Sequence, residues 1–212
     1  MLRAHVNRFL AGPAAKPLFF FLLLLPLAWL VYGAVFDRLG ANPAEALVRS
    51  TGDWTLRMLC LVLLVTPLRV VVGLPALARL RRMVGLFVFF YVLLHFFAYG
   101  WLDMGLDLED IAKDVPKRPF ILVGFAALLL LTSLAVTSFN SAIRALGAKR
   151  WRQLHRGVYA VAALAILHFY WMRAAKQNFA EVAVYAAILA VLLGWRLWSR
   201  FRRPAPRAQT AT

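Results

Sequence analysis

Long apolar segments separated by short polar ones dominate the hydrophobicity pattern of this chain. Six of them have about the 20 residues needed to cross a hydrocarbon core about 30 Å thick. They are Pro17–Phe36, Trp54–Gly73, Met83–Trp101, Pro119–Phe139, His155–Met172 and Phe179–Trp198. Because lipid offers no partner for free backbone N–H and C=O groups, each segment is predicted to be a helix. The pattern therefore predicts an all-α membrane protein, a six-transmembrane-helix bundle.

Composition agrees with this interpretation and leaves no room for a separate soluble domain. Hydrophobic residues make up 63% of the 212 positions, well above the usual share in soluble domains. The first apolar run is longer than the core of a signal peptide, so it is predicted to be retained as a helix. We therefore expect an N-terminal flank over 1–16, a transmembrane domain over 17–198 and a disordered tail over 199–212.

Charge is distributed very unevenly between the two ends of the predicted helices. The N-terminus, residues 69–82, residues 144–156 and the C-terminal end hold 17 of the 25 Lys and Arg residues and none of the nine acidic residues. The positive-inside rule places these basic segments, and with them both termini, in the cytoplasm. The net charge of +16 is then explained by topology and anionic lipid. A nucleic acid partner is not predicted.

Several kinds of site are excluded by the residue content. Cys60 is the only cysteine, so the chain has neither an internal disulfide nor a cysteine-ligated iron–sulfur cluster or zinc site. It is expected to be a small buried apolar residue. No glycine-rich dinucleotide or phosphate motif and no H-E-x-x-H motif is found. A nicotinamide nucleotide is therefore not expected to bind here.

Three of the four histidines lie within or at the edge of the predicted helices. His5 is in the polar N-terminal flank and is expected to be solvated. His95 lies twelve residues beyond the start of the third span, and His168 thirteen beyond the start of the fifth. At 1.5 Å per residue both lie about 18–20 Å above the cytoplasmic edge. Two neutral imidazoles at one depth can ligate both faces of a haem iron, which suits electron transfer.

The same histidines are also compatible with roles that need no haem. Each imidazole could simply hydrogen-bond a neighbouring helix, and the surrounding aromatic residues could form an interfacial belt instead of flanking a porphyrin. A proton channel or transporter could use His95, His155 and His168 as a relay. Such a relay normally also uses carboxylates, and the predicted membrane interior contains none. An anchoring subunit without redox activity is a third possibility.

His155 lies at the cytoplasmic end of the fifth span, about 20 Å below His168. The matching depth on the third span carries Arg81 and Arg82 instead of histidine. His155 is therefore either one ligand of a second haem or part of a different site. A flavin phosphate would suit the surrounding basic residues. These are Arg81, Arg82, Lys149, Arg150, Arg152 and Arg156.

Six helices, a histidine on the third and a pair thirteen residues apart on the fifth resemble the ferric-reductase-like transmembrane superfamily. Its members typically carry two histidines on each of two helices and stack two haems. Within it, the chain is similar to the haem-binding membrane subunits of periplasmic methionine sulfoxide reductase systems. The local stretches that carry this resemblance are TGDWTLRMLCLVLLVTPLR, RRMVGLFVFFYVLLHF, KRPFILVGFAALLLLTSLAVTS and WRQLHRGVYAVAALAILHFYW.

This resemblance implies haem b, an associated FMN and a place in the bacterial inner membrane. It implies electrons from the quinone pool or a cytosolic flavin reductase, delivered to a periplasmic molybdopterin-dependent MsrP-type reductase that repairs oxidised proteins. The chain itself is then an electron-transfer subunit and not the substrate-reducing enzyme. The acidic segment 103–114 is expected to be a loop, which is either the docking surface for that partner or simply a solvated loop.

Overall fold

The computed structural model of the chain describes residues 1–174 and 177–202, and its regular structure is helical. Short 3₁₀ segments lie at Pro75–Arg79 and His155–Gly157, and a π-helical turn lies at Tyr99–Asp103. The helices are α1 (Leu2–Ala11), α2 (Ala15–Val35), α3 (Pro43–Val72), α4 (Arg81–Ala98), α5 (Leu108–Lys117), α6 (Pro119–Val136), α7 (Asn140–Leu154), α8 (Val158–Ala174) and α9 (Ala180–Phe201).

All six predicted spans are found as helices. Within the described residues, six helical segments are long and apolar enough to cross a membrane, and they contain α2, α3, α4, α6, α8 and α9. The largest difference is in α3, which begins at Pro43 and not near Trp54. Asn42 caps it by accepting a hydrogen bond from the Glu45 N–H, and Pro43 suits the first helical position. The first residues of this helix are polar, so apolar runs alone do not indicate where it begins.

Segments expected to be flanks or short connections also contain helices. α1 lies in the N-terminal flank and α7 occupies most of the basic connection 144–156, with a break where Gly147 has a φ of +72°. α9 continues to Phe201, so helix replaces the first residues of the predicted tail. Positions 203–212 of that tail lie outside the described residues.

The acidic segment 103–114 is also mostly helical, although it was expected to be a loop. Asp107 caps α5 by accepting hydrogen bonds from the Glu109 and Asp110 N–H groups at 2.8 and 3.0 Å. Acidic residues in the first turn and Lys117 in the last one complement the helix dipole. Val115 is buried, which fixes α5 against one end of the bundle.

Two antiparallel helix pairs, α3 with α4 and α6 with α8, make the main packing contacts of the bundle. α4 also packs on α6, and α9 packs on both α3 and α8. The largest fully buried side chains lie along α3, α4 and α8. They are Met58, Leu59, Leu63, Val88, Tyr91 and Val161. The four helices of the two pairs therefore surround the centre of the molecule.

Both prolines inside the predicted spans have polar side chains from other helices beside them. Pro67 has no N–H to offer the Leu63 carbonyl one turn earlier, and Arg196 of α9 donates to that carbonyl at 2.7 Å. Beside Pro26, the Tyr91 hydroxyl accepts from the Leu27 N–H at 3.2 Å and donates to the Leu23 carbonyl at 2.8 Å. Neighbouring helices thus satisfy the backbone groups, as expected in lipid.

We expect Tyr91→Phe to destabilise the folded bundle by about 1–3 kcal/mol, because a buried N–H and a buried carbonyl lose their shared partner. Tyr91 is fully buried, so water cannot replace the hydroxyl. Unfolding with a denaturing detergent measures the effect. Tyr32→Phe is the control, because Tyr32 lies exposed on α2. Equal stability of both variants contradicts a role for the Tyr91 hydroxyl.

Candidate functional site

His95 of α4 and His168 of α8 face each other across the centre of the bundle. Their ring centres lie 6.1 Å apart and the ring planes are inclined by 77°. α4 and α8 each follow a connection at the same end of the molecule, so equal distances along the two helices bring the histidines to the same level. The structure therefore brings together the two side chains that the sequence placed at one depth.

Each imidazole donates a hydrogen bond to a backbone carbonyl of a neighbouring helix. His95 Nδ1 lies 2.9 Å from the Val48 carbonyl oxygen, and His168 Nδ1 lies 2.6 Å from that of Phe120. A carbonyl oxygen only accepts, so Nδ1 carries the proton and Nε2 keeps its lone pair. No hydrogen bond to either Nε2 occurs among the described residues. Both rings thus have the tautomer of a metal ligand with a satisfied outer nitrogen.

A glycine on the neighbouring helix makes room for each ring. A Cβ added at Gly52 of α3 lies 3.1 Å from His95 Cε1, and one added at Gly124 of α6 lies 2.8 Å from His168 Nδ1. Each glycine comes four residues after the carbonyl that accepts from the same histidine. The two helix pairs therefore repeat one arrangement, in which a carbonyl is followed one turn later by a glycine. The space beside this glycine, which the imidazole occupies because no side chain fills it, is called the notch.

The two imidazoles lie in a cavity of about 520 Å³ between the two helix pairs. This volume is in the usual range for a cofactor pocket. Its deep part is apolar and includes Leu59, Val88, Leu131 and Val161. Charged and polar side chains line the other part, near the start of α3 and the α5–α6 corner. They are Asn42, Glu45, Arg49, Asp53, Asp103 and Arg118.

This geometry fits a haem iron between the rings. An imidazole nitrogen ligates a metal at about 2.0–2.1 Å and its ring centre is about 1 Å further away, so two axial imidazoles have centres about 6 Å apart. The observed separation of 6.1 Å agrees. No group of three or more His, Cys, Asp or Glu that could hold a metal occurs in the described part of the chain. A porphyrin supplies the four further nitrogens that two imidazoles lack.

Among the described residues, three carboxylates line this cavity, those of Glu45, Asp53 and Asp103. α3 begins earlier than predicted, so Glu45 and Asp53 lie within this helix and face the cavity. Glu45 pairs with Arg49 four residues later. These groups lie in the polar part of the cavity, away from its apolar interior.

His155 has different surroundings and does not line the cavity of His95 and His168. It lies in the 3₁₀ turn before α8, where its Nε2 is 3.2 Å from the Thr137 hydroxyl. The Trp151 ring packs on it with ring centres 4.1 Å apart. Arg81 is near enough to interact with it electrostatically. The structure therefore keeps His155 in a second, separate environment.

The four arginines proposed for a flavin phosphate have different individual surroundings. Arg81 is near His155, whereas Arg82 donates to the Asn140 side chain at 2.7 Å. Arg152 and Arg156 are exposed. The electrostatic neighbours of Arg81 are instead Arg196, Tyr159 and Arg69. Sequence proximity to His155 therefore did not identify all the basic residues near this site.

The remaining residues singled out by sequence have simple surroundings. His5 is exposed, and its Nδ1 lies 3.0 Å from the Met1 carbonyl oxygen. Cys60, which was expected to be a small buried apolar residue, is partly buried against the core.

Asp114 connects α5 to the C-terminal end of α4 and to α6. The Tyr99 hydroxyl donates to Asp114 Oδ2 at 2.6 Å, and Arg118 Nε donates to the same oxygen at 2.8 Å. Hydrogen bonding from Arg118 holds the pKa of the Asp114 carboxyl below its usual value. Asp114 is therefore ionised at neutral pH.

Sequence reasoning found both histidines but missed Gly52, Gly124 and the carbonyls of Val48 and Phe120. A glycine inside an apolar helix is a signal of close approach by another group. Its partner can only be identified once the helices are packed, because several glycines lie in such segments.

The model of the family described as "Ferric reductase like transmembrane component" matches residues 51–166, more than half of the chain. A curated "Protein-methionine-sulfoxide reductase heme-binding subunit MsrQ" of Polaromonas naphthalenivorans is 64% identical over 201 residues, which cover 95% of this chain and 92% of the relative. The chain belongs to the MsrQ family. An MsrQ relative of Ralstonia nicotianae is 53% identical over 84% of this chain and 82% of the relative. An MsrQ relative of Xanthomonas axonopodis is 42% identical over 94% of this chain and 93% of the relative.

Membership of the MsrQ family and six apolar helices identify a multi-pass inner membrane protein. The match to the family model includes His95 and His155 and ends at residue 166, while the alignment to the Polaromonas MsrQ covers nearly the whole chain. No solved structure matches the chain.

Proposed function

We propose that this chain is a haem b electron-transfer subunit of a methionine sulfoxide reductase system, with His95 and His168 as axial ligands. The observation that carries this proposal is the pair of imidazoles 6.1 Å apart, each with Nδ1 bonded to a carbonyl, across a cavity of about 520 Å³. The curated relatives are named as haem-binding subunits of such systems.

A bound haem supplies one-electron redox chemistry at a potential that its surroundings tune. His95 and His168 would hold the haem together, so this chain would transfer electrons and the substrate would be reduced elsewhere. The carbonyls of Val48 and Phe120 orient the two imidazoles and raise their basicity. The apolar wall of Leu59, Val88 and Leu131 excludes water from the deep part of the site.

The charge distribution supports a cytoplasmic location of both termini, with α5 on the periplasmic side. His95 and His168 lie toward the same end of their helices as α5. We propose that electrons enter near the cytoplasmic face, from the quinone pool or a cytosolic flavin reductase. They leave on the periplasmic side to a molybdopterin-dependent MsrP-type reductase, and this supports the repair of oxidised periplasmic proteins.

The surroundings of His155 suit a second redox group on the cytoplasmic side. FMN is our first proposal, because Arg81 lies near His155 and can contact a phosphate. Arg82, Arg152 and Arg156 are further candidates for that phosphate. A second haem with His155 as one ligand is the alternative. It is our second choice because no second histidine lies in the described surroundings of this ring.

We propose the α5 region as the docking surface for the periplasmic partner. Asp103, Asp107, Glu109 and Asp110 are exposed there, beside the exposed apolar side chain of Leu108. Such a surface attracts a partner with a basic patch, and the apolar side chain adds contact area once the partner has docked.

A reduced-minus-oxidised spectrum of the purified protein tests the central proposal. Dithionite is expected to produce sharp b-type α and Soret bands, and haem and FMN measured per chain give the number of each. One haem with one FMN supports the flavin at His155, whereas two haems support the alternative. A colourless protein after haem-replete expression contradicts the proposal and favours the His-relay proton channel or transporter.

A further inference from the structure

The α5–α6 corner is held by one carboxylate that accepts three hydrogen bonds. The Tyr99 hydroxyl and two nitrogens of Arg118 all donate to Asp114 Oδ2. The guanidinium of Arg118 also lies over the rings of Tyr99 and Phe120, at 5.9 and 5.8 Å from their centres. Arg118 is therefore held in position by its charge, its hydrogen bonds and its packing at once.

This corner leads directly to one of the two histidines. Arg118 caps α6, and its carbonyl accepts from the Ile121 and Leu122 N–H groups in the first turn. The Phe120 carbonyl in the same turn accepts from His168 Nδ1 at 2.6 Å. The Phe120 ring is also near the His168 imidazole, with ring centres 6.1 Å apart. The position of the first turn of α6 thus determines the hydrogen bond of His168.

We propose that Asp114 and Arg118 are positioning residues for His168. They place the Phe120 carbonyl that accepts from this imidazole, and they thereby set the reduction potential of the group that His168 ligates. This inference rests on the proposed function, in which that group is a haem. A stronger Nδ1–H bond makes the imidazole a stronger donor and stabilises the oxidised iron. Loosening the corner lengthens this bond, and the reduction potential rises.

The role of Asp114 can be separated from a direct effect on the haem. Asp114 does not line the cavity, so it must act through its partners or through its charge alone. Asp110 controls for charge, because it is an exposed carboxylate on the same helix and its side chain has no bond to this corner. Asp114→Asn and Asp110→Asn each remove one negative charge, but only the first removes the strong acceptor of Arg118.

Redox titration of the haem spectrum in the full-length protein tests the inference. We expect Asp114→Asn to raise the midpoint potential so that the ratio of reduced to oxidised haem changes about three- to tenfold, or about 30–60 mV for one electron. Asp110→Asn is expected to produce a clearly smaller shift. Arg118→Lys keeps the charge but loses the paired hydrogen bonds, and is expected to raise the potential as well.

The outcomes distinguish this inference from the proposed function. If the wild-type protein shows no b-type spectrum, the proposed function is wrong. If the wild-type spectrum is present, but Asp114→Asn shifts the potential no more than Asp110→Asn and Arg118→Lys leaves it unchanged, only the positioning role is wrong. If Asp114→Asn no longer retains haem, Arg118→Lys alone decides, because its potential then either rises or stays at the wild-type value.

Discussion

Replacing His95 or His168 with alanine is expected to remove the haem b spectrum from the purified protein. Each variant leaves the iron with one imidazole in a cavity whose deep wall is apolar and offers no substitute ligand. Changes to groups that only support a ligand already weaken metal binding about 10–100-fold, so we expect a loss of at least about 100-fold in haem affinity. Haem per chain and the dithionite-reduced spectrum measure this loss.

Two controls make this result specific. His5→Ala changes an exposed histidine outside the bundle core and should leave the haem content unchanged. Added imidazole should restore part of the spectrum of His95→Ala or His168→Ala, because it refills the space that the side chain vacated. If His155→Ala alone removes the haem while the other two variants retain it, the proposed ligand pair is wrong.

The Gly124→Ala variant is expected to weaken haem binding although it changes no ligand. The added methyl group lies 2.8 Å from His168 Nδ1 and 2.9 Å from Cε1, closer than such atoms can approach, so the imidazole must move away from the Phe120 carbonyl. Overpacking of this kind costs about 1–3 kcal/mol, or about a 5- to 150-fold loss of haem affinity. Haem content and the midpoint potential measure the effect.

Gly52→Ala should act in the same direction but less strongly, because its nearest contact is 3.1 Å from His95 Cε1. Gly194→Ala is the matched control, since a Cβ at this position in α9 meets nothing within 4 Å. We expect Gly194→Ala to retain wild-type haem content and stability. Full haem content with an unchanged potential in Gly124→Ala shows that the notch does not position His168.

Helix periodicity and rise made much of the site predictable. A helix advances by a constant distance per residue, so the positions of His95 and His168 along their spans indicated a common depth before any packing was known. The apolar runs likewise indicated six helices, because the backbone has no other way to satisfy its polar groups in lipid. Both predictions depend only on local geometry and on the surrounding solvent.

Polar signals at helix ends were harder to interpret. Asn42 and Asp107 precede α3 and α5, and their side chains cap these helices by accepting hydrogen bonds from backbone N–H groups. A search for apolar runs therefore placed the start of α3 too late, and with it left Asp53 outside the membrane span. The capping residues were visible in the sequence, but their effect depends on where the chain leaves the bundle.

The amino-acid sequence by itself determined the number of spans, the uneven distribution of charge and the equal depth of two histidines, because these follow from composition and from helix rise. Only the tertiary structure decided which helices are neighbours. It set Gly124 against His168, gave that imidazole the Phe120 carbonyl, and kept His155 in a separate environment. These contacts join residues more than forty positions apart or on different helices, and helix rotation and packing, which local sequence does not specify, determine them.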